Sequence, residues 1–127
     1  SDDEACSIGG SGSRRGFTER DARHRDDRYE LQRRYLELTR VELPWAAARG
    51  RWCVREDHCF MRIALDHVFG GCWYDHLDRR LVAYKQLSAA QLGEAVRLCE
   101  RMLEEGEPLV WRLQVQSLRW RGRITTF

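Results

Sequence analysis

The segment EDHCFMRIALDHVF, residues 56–69, places Phe60, Met61, Ile63, Ala64, Leu65, Val68 and Phe69 around most of a helical circumference. A helix apolar nearly all round has no face to offer water, so it must be central and the rest of the chain must wrap it. Gly70-Gly71 then stops it, and after the turn GGC a second segment, WYDHLDRR, restarts with aromatic, acidic and basic groups.

The wrapping elements are also helical in pattern. A long helix begins at Thr18, with Thr18 and Asp21 in capping-box-like positions. Its first half, RDARHRDDR, is almost wholly charged, and its second half carries Tyr29, Leu31, Tyr35, Leu36, Leu38, Val41 and Leu43 with helical recurrence. Pro44 is expected to end or kink it, leaving PWAAARGRW as a connector closed by Gly50. A short helix is expected from Trp73 to about Arg80. Ser88 and Gln91 form a capping-box start for a helix that reaches Glu105 and stops at Gly106. Pro108 opens a last helix that ends at Gly122. No alternation of period two marks a strand before the last few residues. The expectation is one all-α domain over residues 17–127, a compact bundle of five to six helices. Residues 1–16, polar and glycine-rich without periodicity, read as a disordered linker.

Several function classes lack their signatures. The longest uncharged apolar run is far below the ~20 residues of a membrane span, and no basic start precedes an apolar stretch, so no membrane partner is expected. Five cysteines, Cys6, Cys53, Cys59, Cys72 and Cys99, are an odd set without a C-x-x-C pair, which favours reduced thiols inside a cell. Zinc could draw on Cys53, His58, Cys59, His67, Cys72 and His76, but no spacing repeats a known knuckle. There is no phosphate loop joined to a strand and helix, no H-E-x-x-H and no G-x-S-x-G. A non-enzymatic protein without cofactor or metal is expected.

The net charge is only +2, yet arginine supplies nearly all the positive charge and Lys85 is the sole lysine. Guanidinium groups fork onto phosphates and guanine edges. The arginines near the start are interleaved with Glu19, Asp21, Asp26 and Asp27 and read as a solvated, salt-bridged face. The closing SLRWRGRITT contains no acid and is the better phosphate contact, through Arg119, Arg121 and Arg123. Within the central helix, Arg62 and Asp66 stand four apart, so an ion pair that organises the core or lines a recessed polar site is expected.

The helix, Gly-Gly turn and polar segment follow helix-turn-helix logic, in which the second element enters a major groove. Trp73, Tyr74, Asp75, His76, Asp78, Arg79 and Arg80 can donate, accept, stack and neutralise phosphate. The competing reading is a plain helix corner.

At these residues the compact all-α layout, HCFMRIALDHVFGGCWYDHL and the closing SLRWRG resemble the DNA-binding domain of the base J-binding proteins, across about residues 17–123. The resemblance implies a helix-turn-helix variant that recognises glucosylated hydroxymethyluracil in double-stranded DNA, in the nucleus. It implies one aspartate that reads the sugar: Asp75 first, in the opening turn of the presented segment, then Asp78, then Asp66. His76, Arg79, Arg80 and Lys85 would contact base or phosphate, and Arg119, Arg121 and Arg123 the backbone. The low net charge departs from the expectation for a DNA binder. The rival reading is a protein-interaction domain of a larger nuclear protein, docked through the charged first helix.

Overall fold

The computed structural model describes residues 19–123, with side chains described from Asp27 onward. The expected linker 1–16 and the Thr18 cap lie outside the described residues. Among those residues the chain is all-helical, with four helices and no strand. Helix α1 has three consecutive stretches: an α segment Glu19–Glu37, a π turn Leu38–Glu42 and a second α segment Leu43–Gly50. Helix α2 is Asp57–Phe69, α3 is Ala89–Glu105 and α4 is Glu107–Trp120.

Two expectations are corrected here, and together they lower the helix count. Pro44 does not end α1. In the π turn before it, the Leu43 N–H bonds back to the Leu38 carbonyl, five residues earlier. That wider turn shifts the bonding row ahead of the proline, which then sits in the first turn of the following segment, where its missing N–H costs little. The Thr39 hydroxyl donates to the Tyr35 carbonyl at 2.9 Å within the same turn. The second correction concerns residues 73–80. Only Trp73–Asp75 is helical, as a single 3-10 turn, and a loop continues to a second 3-10 turn at Ala83–Gln86.

The central position of α2 follows from its pattern. Phe60, Ile63, Ala64 and Leu65 are buried against Tyr35, Leu38, Leu43 and Ala47 of α1, Leu92, Ala95, Val96, Cys99 and Met102 of α3, and Leu109 and Val110 of α4. The capping box of α3 forms as expected, with the Ser88 hydroxyl accepting from the Gln91 N–H and the Gln91 side chain accepting from the Ser88 N–H. Arg34 ties α1 to α3 by pairing with Glu42, with Glu37 at 2.8 Å and with Glu100 at 3.3 Å. These carboxylates, Glu42 first, hold its guanidinium above the usual arginine range. Gly50 is required by packing, because a Cβ there would stand 2.5 Å from the Trp52 indole nitrogen. Trp52 in turn closes the core beside Phe60, their rings meeting edge-on at 6.3 Å.

Candidate nucleic-acid interface

The candidate site is built on Asp66, in the last turn of α2. Its side chain is fully buried, so a charge there needs several partners. Four donors reach it. The Trp73 N–H at 3.0 Å and Arg121 Nη2 at 2.9 Å reach Oδ1, while Arg121 Nε at 2.7 Å and the Ser117 hydroxyl at 2.6 Å reach Oδ2. Arg121 is therefore bidentate, and its guanidinium is held above the ordinary arginine range chiefly by this hydrogen bond. The expected pairing of Asp66 with Arg62 is not made. Arg62 instead donates to the Ser117 hydroxyl at 2.7 Å and to Gln114 Oε1 at 2.6 Å. One carboxylate thus joins the end of α2, the start of the loop and the chain just past α4.

The turn into that loop is set by Gly70, whose φ of +69° is a left-handed conformation that side chains disfavour. The N–H groups of Gly70 and Gly71 both reach the Asp66 carbonyl, closing the helix as a Schellman-type cap. Further along, the Gln86 side chain staples the loop to itself. It accepts from the Asp78 N–H at 2.9 Å and donates to the Asp78 carbonyl at 2.9 Å. Arg28 of α1 fixes the far end by donating to the carbonyls of Tyr84 at 3.2 Å, Lys85 at 3.3 Å and Leu87 at 3.0 Å. An irregular segment is held by fixed points at both ends.

On that scaffold the three aspartates differ in availability. Asp66 is consumed by its four donors. Asp78 is bound by Arg80, whose backbone N–H and Nε reach Oδ1 at 2.9 and 3.0 Å and whose Nη2 reaches Oδ2 at 3.0 Å. That pairing holds the Asp78 carboxyl below its usual range, the Arg80 side chain being the first cause and its N–H the second. Asp75 is exposed at the end of its 3-10 turn, and its carboxylate has no hydrogen-bond or ion-pair partner among the described residues.

The basic candidates also separate. Arg79 is exposed and stacks over the Tyr74 ring, 3.8 Å from its centroid, and Arg121 lies over the same ring at 4.7 Å. Tyr74 therefore brings the loop and the end of α4 together. His76 stacks flat on Phe69, with centroids 4.8 Å apart and planes 6° apart. Lys85 and Arg123 are exposed, with no carboxylate partner among the described residues. Arg119 is exposed in the last turn of α4. Arg121, expected at the DNA backbone, is committed to Asp66.

Ser117, Gln114 and Gln86 carried no local signal, because each acts on a partner more than one helical turn distant, and Arg28, read with the solvated arginines of the first helix, instead binds three carbonyls of the loop. Asp66 itself carried a signal, being an acid in an apolar helix. Cys53, Cys59, Cys72 and Cys99 are all free thiols. No three of the six considered zinc donors come within reach of one ion among the described residues. The one trio that does is Glu56, Asp57 and His58, all exposed. No described helix is long and apolar enough to cross a membrane. No protein-family model, curated protein or solved structure matches the chain.

Proposed function

We propose that this domain binds double-stranded DNA and reads a glucosylated hydroxymethyluracil through Asp75, with the loop after Gly70-Gly71 taking the role of the second element of a helix-turn-helix variant. The observation that carries the reading is the exposed carboxylate of Asp75, without a partner among the described residues, next in sequence to the arginine-stacked Tyr74 ring. A carboxylate accepts hydrogen bonds from sugar hydroxyls and is repelled by bare phosphate, so it earns a place on a DNA surface only where such donors are presented. The exposed Arg79, Lys85 and Arg123 supply phosphate contacts, and Arg80 orders Asp78. Such a protein acts in the nucleus, where duplex DNA is its partner, and does so without catalysis or cofactor.

The test is fluorescence anisotropy with two duplexes of one sequence, one carrying a single glucosylated hydroxymethyluracil, at two salt concentrations. Preference for the modified duplex at both salts is expected. Equal, steeply salt-dependent binding removes the base-specific part, and indifference to both duplexes at low salt removes DNA binding.

A second reading rests on the outer face of α1. Val41 and Trp45, one turn apart, are 60% and 63% exposed, and Arg49 stacks on Trp45 at 4.6 Å. Exposed aromatic and aliphatic groups in line on a helix suit a protein partner. This second face favours a docking role within a larger assembly, and it is compatible with the DNA reading.

A further inference from the structure

Beside the loop, a cleft of about 400 Å³ opens between α1, α2, the 3-10 turns and the end of α4. Its size is at the small end of ligand sites, which run from about 300 to 1,000 Å³. No carboxylate lines it. Arg40, Arg62, Arg121 and His58 do, together with the rings of Tyr35, Trp73, Tyr74 and Tyr84.

The charges at this cleft are unequal. Arg121 is neutralised by Asp66. Among the described residues Arg62 donates to the neutral Ser117 and Gln114, and the nearest carboxylate on this path, Asp66, lies beyond the Ser117 hydroxyl. Arg40, placed in the π turn of α1, is exposed, has no carboxylate partner among the described residues and lies 5.8 Å from the Tyr84 centroid. Tyr35 adds an independent mark. It is fully buried, and its hydroxyl has no hydrogen-bond partner, the one such side-chain atom among the described residues. Buried polar groups are nearly always satisfied, and this orphan belongs to a residue that lines the cleft.

Two guanidinium groups with no direct carboxylate contact among the described residues, and several aromatic walls, complement an anion linked to a flat aromatic base. We propose that this cleft binds a nucleoside monophosphate group, with the base among Trp73 and Tyr84 and the phosphate on Arg40 and Arg62. The site goes beyond the duplex reading and stands without it. The group can arrive as a free nucleotide or as one unit of a nucleic-acid strand, since both present the same ring and phosphate.

Calorimetric titration of the full chain tests it, using deoxynucleoside monophosphates, the matching nucleosides, inorganic phosphate and a short single-stranded oligonucleotide. Saturable binding of a monophosphate is expected, with the nucleoside at least about tenfold weaker for want of the charge-assisted contacts. Tighter binding of the oligonucleotide than of the monophosphate assigns the source to a strand, and the reverse order assigns it to free nucleotide. Arg40→Glu, an exposed change, is expected to lower the affinity at least about tenfold by reversing a phosphate contact. Tyr35→Phe is expected to weaken binding while the melting temperature stays level or rises, because the lost hydroxyl had no partner in the fold. No saturable binding of any monophosphate, or binding that neither variant alters, overturns the proposal. Its failure is separate from that of the duplex reading, which is measured on modified DNA.

Discussion

Arg121, just past the end of α4, reaches back 55 positions in sequence to grip both oxygens of Asp66, at 2.7 and 2.9 Å. The same carboxylate accepts the Trp73 N–H at 3.0 Å, so the loop that carries Asp75 and Arg79 starts from an atom held by the opposite end of the chain. A surface made of irregular backbone keeps a defined shape only when such fixed points restrain it. The Asp66–Arg121 pair thus fixes the point from which the loop starts.

Removing either partner leaves the other charge buried, which typically costs about 3–5 kcal/mol. Asp66→Ala and Arg121→Ala are each expected to lower the urea midpoint by a corresponding amount. The double variant is expected to lose clearly less than the two separate losses added together, since the second removal strands no further charge. Strict additivity in that double-mutant cycle would show that the two groups are not coupled.

The two glycines of the hinge are expected to behave differently. Gly70 has a φ of +69°, and a Cβ there meets no atom within 4 Å, so Gly70→Ala is strained by backbone conformation alone. A cost of about 1–2 kcal/mol is expected. A Cβ on Gly71 also meets nothing within 4 Å, and its φ lies outside the left-handed region. Gly71→Ala is expected to be nearly neutral, and comparing the two melting temperatures checks the contrast.

Stability in alkali is expected to depend on Cys99. Burial pushes its thiol up to about 12 from an ordinary value of 9.0. Above the unfolded value the unfolded chain releases a proton that the folded chain keeps. The stability from this thiol is therefore present in full below pH 9.0 and is lost as the pH rises toward about 12. Each proton so retained contributes a slope of about 1.4 kcal/mol per pH unit. Urea titrations across that interval are expected to show a shallower fall for Cys99→Ala than for the parent. Equal slopes would mean that Cys99 does not ionise differently in the two states.

The helices were legible in the sequence wherever a local pattern decided them. The ring of apolar residues on α2, the Ser88–Gln91 box and Gly106 all act within a few positions, and local chemistry sets them. Two local signals were outweighed. Pro44 reads as an end or a kink, yet a π turn upstream carried the helix through it. The segment Trp73–Arg80 reads as a helix, yet the pull of Asp66 on the Trp73 N–H and the Gln86 staple on Asp78 hold most of it extended or turned. Partners of this kind lie in other elements, and periodicity carries no information about them. The same reason explains Asp66: its need for a counter-charge was visible, but Arg62, one turn away, was the wrong donor and Arg121 the right one.

The DNA reading makes its sharpest demands on Asp75, Asp78 and Arg79. Asp75 is exposed and without a partner among the described residues, whereas Asp78 is engaged by Arg80 at 2.9 and 3.0 Å. Asp75→Ala is therefore expected to abolish the preference for the glucosylated duplex while weak binding to plain DNA persists. Asp78→Ala releases Arg80 and is expected to keep the preference. Arg79 is exposed, has no carboxylate partner among the described residues and stacks on Tyr74 at 3.8 Å. Arg79→Ala is expected to weaken modified and plain duplexes alike and to flatten the plot of log affinity against log salt by about 0.9, the release of one phosphate's counterions. Anisotropy over a salt series measures both quantities at once. Loss of the preference in Asp78→Ala with its retention in Asp75→Ala would move the sugar contact to the other aspartate, and an unchanged slope in Arg79→Ala would take that arginine off the phosphate backbone.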